Sequence, residues 1–157
     1  MMRTLAAVSI VAISATAVLA QNLDAIKERR QAMRTIGSVG TSNFKMMKGD
    51  APFDLATFQK NIAAMQAAGT KFKDLFPDNA KTGGGTDAAP KIWEQKAQFN
   101  AALDAWLADV KAAGETIKDE AGMKANYPKV AQGCGGCHKS ADGFTVSLGE
   151  SFKKPAP

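Results

Sequence analysis

The spacing of apolar residues is the feature that most constrains the fold of this chain of 157 residues. In four blocks, apolar side chains recur at steps of three, four or seven positions, which is the period of an amphipathic α-helix. No stretch shows the alternation of period two that predicts a strand. Aromatic residues make up only 7% of the chain while Ala and Met are plentiful, which also favours helices. The sequence therefore predicts an all-α fold, a four-helix bundle.

The four apolar stripes differ in their extent. They comprise Ile26, Met33, Ile36, Gly40, Phe44 and Met47; Leu55, Phe58, Ile62, Met65, Gly69, Phe72 and Phe76; Phe99, Leu103, Trp106, Val110, Ala113 and Ile117; and Met123, Tyr127, Val130, Cys134 and Cys137. The pair Gly49-Asp50 ends the first helix, and Asp54 is placed to cap the second, which Pro77 should stop. Each stripe is expected to face a common core.

The third and fourth helices carry prolines near or inside them. Pro90 stands at the expected entrance of the third helix. Pro128 lies within the fourth block, which it should kink or whose start it should delay. Between the second and third blocks, residues 78–89 include the run Gly83-Gly84-Gly85. This segment lacks the Gly-Lys-Ser/Thr ending of a phosphate loop, so it is interpreted as a flexible connection.

Residues 1–20 have the pattern of a secretory signal peptide. Arg3 precedes an apolar run from Leu5 to Leu19, and small residues end at Ala20. An uncleaved membrane anchor is the alternative, but the run is shorter than the roughly 20 residues that span a bilayer. We expect cleavage after Ala20, export to a bacterial periplasm and no membrane span in the mature chain 21–157. Loss of Arg3 lowers the formal charge from +5 to +4.

The segment Cys134-Gly135-Gly136-Cys137-His138 uses both cysteines and the single histidine of the chain. The spacing Cys-x-x-Cys-His is the attachment pattern of a c-type haem. Each thiol can form a thioether with one haem vinyl group, and three positions on a helix place both sulfurs on one side. His138 can then serve as an axial iron ligand. The sequence predicts covalently attached haem c, held by Cys134, Cys137 and His138.

Three other uses of these residues are possible in principle. A thioredoxin-like disulfide expects a βαβ context, which the helical pattern does not provide. A zinc site would have only three ligands, crowded within five positions. A structural disulfide would suit an exported protein but would not explain the adjacent histidine. Haem attachment accounts for the motif, the export signal and the helical context together.

With these features, the mature chain resembles the class II cytochromes c, the cytochrome c′ family, in which the haem motif lies near the C-terminus. The likeness runs from Ala25 to about His138. Its weaker motifs are Arg29-x-x-x-Met33 with Gly37, Met47-Lys48-Gly49, Phe76-Pro77 and Pro90-Lys91-Ile92-Trp93. The resemblance implies a four-helix bundle carrying one haem and acting as an electron carrier or a binder of small gases rather than as an enzyme.

The resemblance also implies roles for two residues of the first helix. Met33 occupies the position that faces the sixth coordination site of the iron. In low-spin members a methionine there ligates the iron, which suits electron transfer. In high-spin members the site is open under an apolar lid and binds nitric oxide or carbon monoxide. Arg29, one turn before Met33, is expected to pair with a haem propionate, the alternative being a solvated surface residue.

Past His138 the sequence departs from the family. Asp142 stands where a basic residue is usual, and residues from about 143 to 157 form an extension. The positive charge is interpreted as spread along helix faces, able to steer an acidic redox partner but not to bind nucleic acid. Bundles of this family often pair through their first two helices, so a homodimer is among the expected assemblies.

Overall fold

A computed structural model describes the backbone of residues 5–138 and the side chains of residues 23–138. The side chains of the predicted signal peptide, the departure at Asp142 and the extension from about residue 143 lie outside the described residues. The helices are α1 (Leu5–Lys48), α2 (Leu55–Phe72), α3 (Lys91–Glu94), α4 (Lys96–Thr116) and α5 (Glu120–His138). A 3-10 turn over Asp78–Ala80 lies between α2 and α3, and residues 5–138 contain no strand.

The four long helices close into a ring. Helix α1 packs against α2 and α5, and α4 packs against the same two helices from the other side. The one-turn helix α3 packs on α4. This arrangement confirms the predicted all-α four-helix bundle. Within the part of the chain that the structure describes, no helix is both long enough and apolar enough to span a membrane.

The core is built from the predicted stripes. Phe58, Phe99 and Met123 are at most 2% exposed, as the three-four spacing requires. Three members of the predicted stripes are exposed rather than buried: Phe44 (41%), Leu55 (38%) and Cys134. Phe44 lies on the outer face of α1 beneath the Lys48 ammonium, 5.2 Å from the ring centroid. Leu55 is the first residue of α2, where the stripe has not yet turned into the core.

The predicted cap of α2 is present. The Asp54 carboxylate accepts a hydrogen bond from the Thr57 backbone N–H at 2.7 Å. Hydrogen bonding to the Thr57 side chain, and then to this backbone N–H, lowers the pKa of Asp54. The first helix ends as expected, because Gly49 takes a positive φ of 82° that few other residues tolerate. The backbone N–H of Gly122 donates to the carboxylate of Asp119 at 2.7 Å, which caps α5 in the same way.

Three predicted boundaries differ from the structure. Helix α2 ends at Phe72 rather than at Pro77, yet Phe76 stays buried because its ring packs 4.9 Å from that of Phe72. Pro90 precedes the short helix α3, and α4 begins only at Lys96. Pro128 lies inside α5, which starts eight residues earlier, so the proline does not delay the helix.

The connection after α2 is fixed against α1. Gly83, Gly84 and Gly85 all have positive φ, so the chain reverses through a left-handed turn that side chains would strain. A side chain at Gly84 would come within 3.1 Å of Ile26, because the loop lies directly on α1. The glycine run is therefore packed against α1, and the residue that follows it, Thr86, lies on the same side of the bundle.

Candidate functional site

A cavity of about 690 Å³ opens between the long helices. Its volume lies within the range of roughly 300–1,000 Å³ that is usual for small-molecule and cofactor sites. Aromatic rings from α2, α4 and the segment between them form much of its wall, with apolar surface dominating. The five residues singled out in the sequence all border it: Arg29, Met33, Cys134, Cys137 and His138. The fold thus brings the first and last helices to one site.

The last two turns of α5 carry the two thiols. No disulfide joins the two cysteines, of which Cys134 is exposed and Cys137 is half-buried. Although Cys134 keeps part of its surface open to the cavity, its apolar surroundings raise the pKa of its thiol, and burial likewise raises that of Cys137. Both groups are therefore neutral thiols at neutral pH, standing at the cavity wall beside His138.

The zinc alternative finds no support in this geometry. Among residues 23–138, no three His, Cys, Asp or Glu side chains group closely enough to hold a metal ion. Cys134, Cys137 and His138 border the cavity without converging on one point of coordination.

Met33 reaches the cavity from α1. Its side chain is half-buried, packing on one side against the core and bordering the cavity on the other. Among the other methionines, Met46, Met65 and Met123 are at most 3% exposed, which confirms their assignment to the core, and Met47 is half-buried against it. None of these four borders the cavity. Met33 is thus the methionine of the described residues that the site can use.

Arg29 is buried, which excludes the solvated surface role. Its side chain is 3% exposed and donates hydrogen bonds to the Leu75 carbonyl at 3.4 Å and to the Thr86 hydroxyl. The guanidinium carbon lies 5.1 Å from the Phe76 ring centroid and 5.6 Å from that of Trp93. Burial lowers the pKa of Arg29. Within residues 23–138 this cation has only neutral partners, although it borders the cavity.

Sequence reasoning missed two residues of the site. Thr86 binds Arg29 and also accepts from the Ala88 backbone N–H at 3.1 Å, so it fixes the loop over the cavity. Trp106 borders the cavity with its indole Nε1 buried and without an acceptor among the described residues. Its ring lies so close to Gly133 that a side chain there would clash. Gly133, directly before the Cys-x-x-Cys-His motif, was the feature of the sequence that could have indicated this close contact with Trp106.

Comparison with known proteins places these features in a family. Residues 24–140 match the family model described as Cytochrome C'. The chain is 43% identical over 115 residues to cytochrome c' of Rhodopseudomonas palustris, covering 73% of this chain and 79% of that protein. It is 29% identical over 143 residues to cytochrome c-555 of Bradyrhizobium diazoefficiens, covering 89% and 96%. A solved cytochrome c' from Rhodopseudomonas palustris superposes with a TM-score of 0.74 at 41% identity, covering 80% and 98%.

Proposed function

Because this chain belongs to the cytochrome c′ family, whose members carry one covalently attached haem c, we propose that it is an exported electron-transfer protein. The proposal includes removal of residues 1–20 as a signal peptide and a periplasmic location for the bundle of residues 21–157. When bound, the haem supplies a one-electron Fe(III)/Fe(II) couple. The observation that carries the proposal is that Met33 of α1 and His138 of α5 border one cavity.

The residues of the cavity fit this cofactor. Cys134 and Cys137 form no disulfide with each other and lie three positions apart on α5, as two thioether links to the haem vinyl groups would require. His138 follows on the same helix and offers an imidazole nitrogen as an axial ligand. The mostly apolar walls would keep water away from a haem held here, which would strengthen the polar interactions inside the site. We assign Cys134 and Cys137 to attachment and His138 to ligation.

We assign the second axial position to Met33. A thioether ligand favours the reduced iron and raises the reduction potential, as in other His/Met cytochromes. Met33 is half-buried and held on one side by the core, so its sulfur can be positioned without a large loss of side-chain freedom. A filled sixth position leaves no room for an external ligand, and electron transfer is then the activity that remains.

Arg29 is assigned to a haem propionate. A buried guanidinium whose partners are all neutral is costly, and a carboxylate entering the cavity would supply the missing opposite charge. Leu75 and Thr86 occupy some of its five N–H donors, which leaves others for the incoming group. In this role Arg29 would orient the cofactor from the α1 side while the cysteines fix it from α5.

Binding of nitric oxide or carbon monoxide is the second candidate function. It is favoured by the higher identity to a protein named cytochrome c', 43%, than to one named cytochrome c-555, 29%. In that case Met33 would be an apolar lid held against the core, and the iron would keep an open sixth position. Neither candidate requires a general base or a nucleophile, and no enzymatic step is assigned.

The absorption spectrum of the ferrous protein separates the two functions. Electron transfer through a Met33-ligated haem predicts a sharp, split low-spin spectrum that carbon monoxide leaves unchanged. A broad high-spin spectrum that responds at once to carbon monoxide would contradict Met33 ligation and establish the gas-binding alternative.

A further inference from the structure

The positive charge of the mature chain is concentrated on one helix. Residues 21–48, the part of α1 after the predicted cleavage site, contain six basic and two acidic residues. Residues 49–157 contain thirteen of each, so they contribute no net charge. The excess of +4 therefore belongs to α1, and the expectation that it is spread along several helix faces is wrong.

Basic residues on the rest of the bundle are largely neutralised locally. Six lysines outside α1 form ion pairs with carboxylates: Lys71, Lys73, Lys81, Lys111, Lys124 and Lys129. No basic residue of α1 takes part in an ion pair among residues 23–138. Arg30 donates instead to the Gly84 carbonyl at 3.3 Å, and Arg34 to the Gln31 side-chain oxygen at 3.0 Å. The five exposed cations of α1 thus keep their field toward solvent, whereas the sixth, Arg29, is buried.

Five of these cations form a single line, which we call the basic stripe: Lys27, Arg30, Arg34, Lys45 and Lys48, all exposed. At 100° per residue they fall within about 60° of the helix circumference, over a length of about 32 Å. Gly37, Ser38 and Thr41 fill the middle of the line. These three residues border the cavity, as do Arg30 and Arg34. The stripe therefore runs along the edge of the site.

We propose that the basic stripe is the docking surface for an acidic protein that carries a one-electron redox centre. The inference rests on the proposed electron-transfer function, since it places the partner against the edge of the haem cavity. A stripe of unpaired cations about 32 Å long matches the dimension of a small protein face. Charges of this kind steer the encounter and fix its orientation, with their effect strongest at low ionic strength.

Two other occupants fit the stripe less well. A second copy of the chain would bring two basic stripes together, and like charges across an interface are unfavourable. A helix that lies in a membrane surface inserts a continuous apolar face, whereas the apolar face of α1 is already buried in the bundle. Between residues 27 and 48 the exposed large apolar side chain is Phe44, and one ring does not form such a band.

The test uses the full-length haem-loaded protein and an acidic plant-type [2Fe–2S] ferredoxin as the probe. Calorimetric titration at low ionic strength measures binding without electron transfer. The double substitution R30Q/R34Q should weaken association by at least about tenfold. The control K60Q/K118Q removes the same charge from exposed lysines that neither border the cavity nor form ion pairs among the described residues, and it should change association by less than about twofold.

Several outcomes would overturn the proposal. One is equal weakening in R30Q/R34Q and K60Q/K118Q. Another is binding of the wild type to phosphatidylglycerol vesicles that R30Q/R34Q abolishes, which would make the stripe a membrane contact. A third is a wild-type dimer in sedimentation that the same exchange dissociates. A ferrous spectrum with an open sixth position, together with ferredoxin binding that depends on Arg30 and Arg34, would remove Met33 ligation and leave the docking surface standing.

Discussion

The two ends of the bundle differ in how completely they are packed. At the end formed by the α1–α2 and α4–α5 turns, Phe58, Met123 and Tyr127 are at most 2% exposed, and the Asn61 amide donates to Asn43 at 2.8 Å. At the cavity end, by contrast, Cys134 is exposed and Met33 is half-buried. The closed end is filled by buried side chains, whereas the cavity end leaves about 690 Å³ between the helices, where we propose that the haem lies. Substitutions at the closed end should therefore change stability, whereas substitutions at the cavity end should change the haem chemistry.

The largest effect is expected at the two thiols. The double substitution C134A/C137A removes both thioether links, so no haem should remain attached after denaturation. Haem staining of a denaturing gel measures this directly. Haem retained covalently in the double variant would show that attachment occurs elsewhere.

The closed end should govern stability alone. Phe58→Ala creates a cavity in a fully buried site and should lower the free energy of unfolding by about 3–5 kcal/mol. The visible spectrum of the folded protein should stay the same, because Phe58 does not border the cavity. Phe44→Ala is the matched control, since this ring is 41% exposed and its loss should matter far less. Equal destabilisation by the two, measured by denaturant unfolding, would contradict the packing described.

The closed end should also make the free energy of unfolding fall at alkaline pH. Burial raises the pKa of Tyr127 to about 12, an effect that the hydrogen bond with Asn43 partly opposes and that Cys134 reinforces. A raised pKa means that the folded state holds the phenol proton more tightly. The contribution is therefore fully present below about pH 10 and is lost as pH rises toward 12.

The size of that loss follows from the difference between a pKa of about 12 in the folded state and about 10 in the unfolded chain, which corresponds to about 2–3 kcal/mol. Denaturant unfolding of the wild type and of Tyr127→Phe across this pH range isolates it. The wild type should lose stability relative to the variant between pH 10 and 12. Parallel stability curves would show that Tyr127 is not buried as described.

The smallest expected effect is the difference in stability between alanine substitutions at two nearby glycines, Gly133 and Gly135. Gly133→Ala forces a methyl group against the Trp106 ring, and the overpacking cost of about 1–3 kcal/mol is partly offset by better helix propensity. Gly135→Ala meets nothing within 4 Å, so it should stabilise α5 by up to about 1 kcal/mol. Thermal unfolding of both variants provides the measurement. A destabilised Gly135→Ala together with a neutral Gly133→Ala would reverse the expected order.

Much of the fold could be predicted because helices bury one face at a fixed period. The spacing of apolar residues located the four long helices, and Asp54 signalled the start of α2 through local hydrogen-bonding chemistry. The end of α2 could not be predicted in this way, because Phe76 is buried by ring contacts rather than by the helix period. Pro77 stops a helix but does not say how much earlier the helix has already ended.

The residues of the site divide in the same way, into those that local sequence indicates and those that tertiary packing positions. Cys134, Cys137 and His138 are adjacent in sequence, so their chemistry could be predicted from spacing alone. Burial of Arg29 depends on Leu75 and Thr86, which tertiary packing brings to it from beyond α2. The concentration of charge on α1 was in the sequence, but its meaning depended on which lysines the fold pairs with carboxylates.

The most direct test of the site is the substitution of Met33 by Leu in the haem-loaded protein, followed by the spin state of the iron. If Met33 and His138 share the iron, Met33→Leu should convert a low-spin spectrum into a high-spin one that binds carbon monoxide. Met65→Leu, an equivalent exchange in the closed core, should leave the spectrum low-spin. A low-spin spectrum that survives Met33→Leu unchanged would contradict the assignment of Met33 as the second ligand.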